Sequence, residues 1–457
     1  MTETKQRNPL RAILDIRREE WPLALLMFAY FFLVITTFWI LKPIKKGLFI
    51  EFYDESGVDF LGWQLDAAQA ELIAKVMNMV VALVAVVVFS ALARSLKRQQ
   101  LTLVFCGFFA VTLAIYSFLV NDPGDGVVWS FYLYGDLYNT VMVATFFAFL
   151  NDSVQPKAAK RLYGLIVLGG VLGGAVGTTF LAVYIDQLGH GAWMWLCVGA
   201  TAVIAALAWG AGRIVDRAEA SAVRSEPEAK QTEEPRPSGG AALEGARLVF
   251  RSPYLLAIVA IVGLYEIVST VLDFQFTATV AHYLDGPAIG EHFSTLFAIT
   301  NVSALVVQLL VTNAIMNNFS LRVALLVTPV VIFGASGAFL ALPLLWPGSL
   351  LSTSDNAFNY SINQSAREAL YTPTTRDEKY KAKAFIDMFV QRFAKAIAVG
   401  VSLILTTVFA DFSTVRWLSL FTIAIVGIWL FAAVYAGNRF RALTREDAPD
   451  EPHAGKS

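Results

Sequence analysis

Little in this chain is charged, and cysteine and histidine, the residues of zinc and redox sites, are scarce. Charged residues fill 16% of its 457 positions, against about a quarter in soluble domains. Cysteine occurs twice, at Cys106 and Cys197, each inside an apolar run, which excludes a disulfide scaffold and a zinc site. The four histidines, His190, His282, His292 and His453, fall in loops, at a span edge or in the tail, and form neither HExxH nor any metal-ligand cluster. Lys and Arg number 35 against 36 Asp and Glu, a net charge of -1, so there is no global basic field for nucleic acid. No cleavable signal peptide is expected: residues 8–20 are polar, with Leu10, Ile13, Leu14 and Ile16 as a weak apolar stripe, and read as a short interfacial helix. No cofactor is expected either. The glycine-rich run Gly169–Gly177 lacks a following Lys-Ser or Lys-Thr and a preceding strand, so it is not a phosphate loop.

Apolar residues are what the chain has in abundance: 56% of positions, with mean hydropathy +0.59. Runs of roughly 20 apolar residues recur, each long enough to cross a bilayer as a helix. The fold class is therefore an all-α membrane protein, with twelve transmembrane helices in two six-helix halves. Spans are predicted near residues 21–45, 68–92, 100–120, 127–150, 161–185, 191–213, 253–277, 292–315, 321–345, 351–373, 384–409 and 414–437. Alternate loops carry clusters such as Arg94, Lys97 and Arg98, while the others carry Asp54, Glu55 and Asp59 or Asp122 and Asp125. Lys and Arg mark the cytoplasmic side, so both termini are expected there, in a bacterial inner membrane. The domains read as an N-terminal segment 1–20, a first half 21–213, a linker 214–250, a second half 251–437 and a disordered tail 438–457. The linker has the composition of a disordered segment, with Glu, Pro, Ser and Gly dominating its centre. A weak internal repeat at a shift of 223 positions aligns Lys160 with Lys383, Gly177 with Gly400 and Asp136 with Asn359.

Ionisable groups at bilayer depth cost about 2.5–3.5 kcal/mol each on insertion scales, so they face a cavity or a partner. In the first span Lys42, Lys45 and Lys46 share one helical face at the expected external end, with Pro43 between them. They read as an anion site; the plainer alternative is snorkelling interface anchors. The fourth span carries Asp136 about 14 Å deep, with Tyr132 and Asn139 on the same face. The plainer alternative makes Asp136 a structural partner for Lys75. In the seventh span Glu266 heads a polar stripe through Ser269, Thr270 and Asp273, either a cavity wall or an interhelical seam. The tenth span is barely hydrophobic, with Asn356, Asn359, Asn363 and Arg367 at +3, +7 and +11 on one face. Interior hydrogen bonding is one account; a guanidinium holding a carboxylate or phosphate bidentately is the other. In the eleventh span Lys383, Asp387, Gln391 and Lys395 recur every four residues. The fifth span's Gly169, Gly170, Gly173, Gly174 and Gly177 form overlapping GxxxG spacings, which permit close helix packing or a bend.

Those residues carry a resemblance. The stretch Phe31–Tyr53 with its Lys42-Pro-Ile-Lys45-Lys46 core, the segments around Asp136 and Glu266, and Glu368-Ala-Leu-Tyr371-Thr-Pro373 through Asp387 are similar to the non-mitochondrial ATP/ADP translocases of plastids and intracellular bacteria. The resemblance implies a major-facilitator fold and nucleotide exchange. It also implies that Lys45, Asp136, Glu266 and Lys383 correspond to that family's essential lysines and acids. Two departures bear on an ATP/ADP preference: Lys46 stands where the family has Asp, and Asp136 where it has Glu.

The expected substrate-binding residues are Lys42, Lys45, Lys46, Asp136, Asn139, Glu266, Asn359, Asn363, Arg367 and Lys383, with no catalytic or metal-ligating residue. The expected activity is exchange of a phosphorylated nucleotide by alternating access through a cationic central cavity. Proton-coupled transport of another organic anion or non-nucleotide solute, with Asp136 and Glu266 as proton sites, is the alternative. The expected partners are an anionic small molecule and the lipid bilayer, with no nucleic acid, and a monomer is expected. An embedded enzyme would need a metal-binding acidic cluster or a nucleophile–base pair, and the sequence offers neither. A non-transporting scaffold gives no reason to keep charges buried.

Overall fold

The computed structural model describes residues 17–154, 156–223, 241–312, 314–315, 319–374, 382–383, 385–408 and 412–446; the side chains of 156–161, 218–223, 241–245, 387–388 and 445–446 are outside that description. The stripe from Leu10 to Ile16, the centre of the linker and most of the tail lie outside the described residues, as do the side chains of Lys160 and Asp387.

In chain order the helices are α1 (Trp21–Tyr53), α2 (Ala67–Ser95), α3 (Arg98–Leu119), α4 (Asp125–Ser153), α5 (Pro156–Tyr184), α6 (His190–Val223), α7 (Ala241–Arg251), α8 (Pro253–Tyr283), α9 (Pro287–Val306), α10 (Leu321–Ala341), α11 (Leu345–Phe358), α12 (Gln364–Leu370), α13 (Gln391–Val408) and α14 (Leu418–Glu446). Among the described residues, eleven helices are long and apolar enough to cross a membrane. The expected tenth span is the one that fails this measure. It is built as α11, a π-helical turn Asn359–Asn363 and α12, and its polar composition keeps it below the hydropathy of the rest.

Two further departures from the sequence reading concern the first span and the loop after it. Helix α1 starts with Pro22 in its first turn, where a missing N–H costs little, and continues 33 residues through Pro43 to Tyr53. Lys42, Lys45 and Lys46 therefore lie inside the helix and not at its end. Between α1 and α2 the chain forms a hairpin of β1 (Val58–Phe60) and β2 (Trp63–Leu65). Its two-residue turn uses Leu61 and Gly62 at φ 55° and 85°, the paired positive φ that matches strand twist.

The chain divides into two compact units. The first comprises residues 1–232 and 284–301, the second 233–283 and 302–457. In the first, α1 is the central helix and packs on α4, α5 and α6. The glycine stripe of α5 explains how it comes so close. A Cβ at Gly173 would lie 2.4 Å from the Phe32 carbonyl oxygen, and one at Gly169 would lie 2.7 Å from that of Phe28. Packing is thus what these glycines do in this structure. Stacked Phe31 and Phe146 and the buried Tyr30, Phe109 and Tyr138 fill the space between α1, α3 and α4. Helix α2 shows the opposite pattern: Val80, Val84 and Val87 are 62%, 58% and 63% exposed, a face fit for lipid and not for water.

In the second unit α8 packs on α11, α13 and α14, and α10 packs on α11 and α14. Tyr265 meets the buried Trp429 edge-on in its core. Both π-helical turns near the polar residues, 359–363 and 386–390, fall in this unit. Such turns insert one extra residue and re-phase everything downstream.

Candidate functional site

In the first unit the site is built on α1, α2 and α4. Asp66 caps α2: its carboxylate accepts the Gln69 N–H at 2.7 Å, and the Gln69 side chain returns the bond to the Asp66 N–H. That start sets the phase which turns Glu71, Lys75 and Asn78 to one side of α2. Tyr53 at the end of α1 donates to Asp125 Oδ1 at the start of α4, at 2.6 Å, and ties together the two helices that carry Lys45 and Asp136.

The Lys45 ammonium lies 2.5 Å from Asp136 Oδ1, donates to the Tyr132 carbonyl at 3.3 Å and sits over the Tyr132 ring at 4.3 Å. Gly135 makes this possible: a Cβ there would stand 2.6 Å from Lys45 Cδ. Asn78 donates its amide to the other oxygen of Asp136. One position along α1, Lys46 faces Glu71, with Nζ 3.4 Å from Oε1, while Lys75 closes on Oε2 at 2.9 Å and Tyr132 donates to Oε1 at 2.8 Å. Lys42 rests on aromatic faces, 4.4 Å from the Trp39 ring and 5.1 Å from that of Phe297. Lys45 and Lys46 are each only 4% exposed, which rules out snorkelling. Lys75 pairs with Glu71 on its own helix. Asn139 is half-buried and joins none of the polar contacts around Asp136 among the described residues.

In the second unit the polar residues surround a cavity of about 450 Å³. Asn359, Tyr360, Gln364, Arg367, Glu368 and Tyr371 supply one wall, and Lys383 and Gln391 supply the other. The Lys383 ammonium is 2.5 Å from Glu368 Oε1. Arg367 lies 5.8 Å from the centre of the Tyr265 ring. The single face expected for Asn356, Asn359, Asn363 and Arg367 is broken by the π-helical turn. Asn359 and Arg367 reach the cavity, Asn363 is buried and donates to Asn359 Oδ1 at 3.0 Å, and Asn356 turns back to the Ser352 carbonyl. Glu266 pairs with Lys395 at 3.6 Å and does not line this cavity. Of the rest of its stripe, Thr270 bonds its own helix, and Ser269 donates to Asp355 Oδ2 at 2.6 Å.

Three residues that matter here escaped the sequence reading: Glu71, Asn78 and Asp355. Glu71 had a usable signal, a Glu–Lys pair four apart within an apolar segment. Asp355 had one too, as a carboxylate inside a span. Asn78 had none, because its role depends on α4 lying beside α2.

Buried cations and carboxylates on long apolar helices define an α-helical, multi-pass membrane protein, and its fold is that of solved transporters. The nucleoside transporter NupG superposes with a TM-score of 0.59 at 12% identity, covering 94% of this chain and 100% of that one. A bacterial homolog of the human lysosomal transporter Spinster gives 0.58 at 11%, covering 94% and 99%. A Major Facilitator Superfamily model matches residues 2–178. The model described as TLC ATP/ADP transporter matches residues 127–346 and 346–440, and the chain belongs to that family. Its curated relatives include ADP,ATP carrier protein 1 of Chlamydia muridarum, 26% identical over an alignment 355 residues long that covers 68% of this chain and 65% of that protein. The chloroplastic ADP,ATP carrier protein 1 of Arabidopsis thaliana is 24% identical over an alignment 361 residues long that covers 70% of this chain and 56% of that protein. The chain thus spans less than two thirds of the length of these relatives.

Proposed function

We propose that this protein exchanges phosphorylated nucleotides of the ATP/ADP type across a bacterial inner membrane, by alternating access through a cationic cavity. In this reading twelve spans form two six-helix halves, α11 to α12 supplying the polar tenth, and both termini are cytoplasmic. The carrying observation is the match of the family model over 127–440, together with curated relatives named ADP,ATP carriers. The chemistry of the two polar clusters supports it. The second offers ammonium and guanidinium groups to an anion, the first places fixed positive charge in the membrane, and each holds carboxylates that keep those cations tolerable in an apolar surrounding. Lys42, Lys45 and Lys46 serve the first cluster, Arg367 and Lys383 the second, and Asn359 supplies an amide beside them.

The test is uptake of labelled ATP into proteoliposomes preloaded with ADP, with empty vesicles beside them. Uptake into loaded vesicles alone supports exchange. Lys45→Ala is expected to abolish that uptake while the protein still inserts. A folded protein that takes up no nucleotide under either condition removes the substrate and leaves the fold. A second reading, proton-coupled transport of another organic anion, is favoured by one feature. Asp355 is 3% exposed, bonds to Ser269 and has no ion pair among the described residues. A pH gradient that drives uptake into vesicles without counter-substrate would move the assignment there.

A further inference from the structure

Glu368 is the one carboxylate in the lining of this cavity among the described residues. It projects into the cavity of the second unit beside Arg367, and its Oε1 holds the Lys383 ammonium at 2.5 Å. Both partners keep solvent access, with side chains 37% and 51% exposed for Lys383 and Glu368. That accessibility separates this pair from the Lys46–Glu71 contact, whose side chains are 5% and 1% exposed. A pair open to solvent costs little to separate; a buried one leaves an uncompensated charge. Among the described residues the cavity lining carries two cations, Arg367 and Lys383, against one carboxylate, a net charge of +1. Tyr360 and Tyr371 add ring faces, and Asn359, Gln364 and Gln391 add amides.

We infer that Glu368 is an internal stand-in for the substrate anion: its carboxylate occupies Lys383 when the cavity is empty, and an incoming phosphate group displaces it. The inference rests on the anion-transport reading proposed above and adds to it a specificity-determining residue. Charge alone has two consequences here. A substrate must offer Lys383 more than Glu368 does, which favours anions of two or more charges over singly charged ones. An emptied cavity regains its own counter-ion, so Lys383 is not left bare.

The experiment is equilibrium binding of ADP and of inorganic pyrophosphate to the purified full chain in detergent, for wild type, Glu368→Gln, Lys383→Gln and the double variant. Glu368→Asp serves as a control that keeps the charge, and thermal unfolding of each variant confirms folding. Glu368→Gln is expected to tighten both ligands by about 1.5- to fivefold, the range of a solvent-accessible charge pair. Lys383→Gln weakens them. In the Lys383→Gln background the Glu368 effect is expected to vanish, because the competition needs both partners. Weaker binding on Glu368→Gln, an effect that persists without Lys383, or no binding of either probe to any folded variant overturns the inference. Pyrophosphate binding that follows the cycle while ADP binds nowhere keeps the displacement and removes the nucleotide.

Discussion

The two units solve the same problem, keeping positive charge at membrane depth, in different ways. In the first, Lys45 and Lys46 are sealed, and each meets a carboxylate from another helix while Tyr132 and Asn78 complete the shell. In the second, Lys383 and Lys395 have side chains 37% and 50% exposed, and each meets one carboxylate. α-Helices with no π-helical turn carry the first cluster; π-helical turns precede or interrupt the helices of the second. Burial raises the cost of rearrangement, so the first cluster is suited to hold a fixed electrostatic environment. Exposure and irregular backbone lower that cost, so the second is suited to change partners.

The sharpest way to break this contrast is to remove a carboxylate from each cluster and compare stabilities. Glu71→Ala strands Lys46 in a buried position and is expected to cost about 3–5 kcal/mol in chemical denaturation, the range for breaking a buried ion pair. Asp136→Ala does the same to Lys45 and belongs in the same range, whereas Lys45→Ala leaves an acid whose side chain is 42% exposed and that water can solvate. Equal losses for Asp136→Ala and Lys45→Ala would show that the first cluster is not sealed. Next in size is Gly135→Ala, whose Cβ would press on the Lys45 stem; about 1–3 kcal/mol is expected for such overpacking, with reduced uptake in proteoliposomes. Smallest in stability is Lys383→Ala, expected to shift unfolding by no more than about 1 kcal/mol while abolishing exchange. A Lys383→Ala protein that unfolds as readily as Glu71→Ala would erase the difference between the two units.

Much of the site was legible because charge inside an apolar run is rare enough to stand out. Lys45, Asp136, Arg367 and Lys383 were all found that way, and the structure puts each of them in a polar cluster or cavity. Pairing was not legible. The plainer alternative offered Lys75 as a partner for Asp136; it lies one turn from Glu71 on its own helix, 2.9 Å away. The amide face of the tenth span was misjudged for a local reason: a 3.6-residue period assumes unbroken helix, and one π-helical turn at 359–363 moves Asn363 out of the cavity wall. Asn139, at the right spacing from Asp136, makes none of the polar contacts around it among the described residues; α2 supplies the neighbouring amide, from Asn78.

What the amino-acid order determined by itself is where helices lie and which positions carry unwanted charge. Both depend on each residue's own transfer cost and on a fixed rise per residue. What only the tertiary structure decided is which cation meets which acid, how deeply each pair is sealed, and that Glu368 shares a cavity with Lys383. Those depend on the approach of separate helices, set by features such as the α5 glycines against α1 and by the backbone phase of each helix. Coulomb energy and solvation change steeply over the few ångströms that such packing controls.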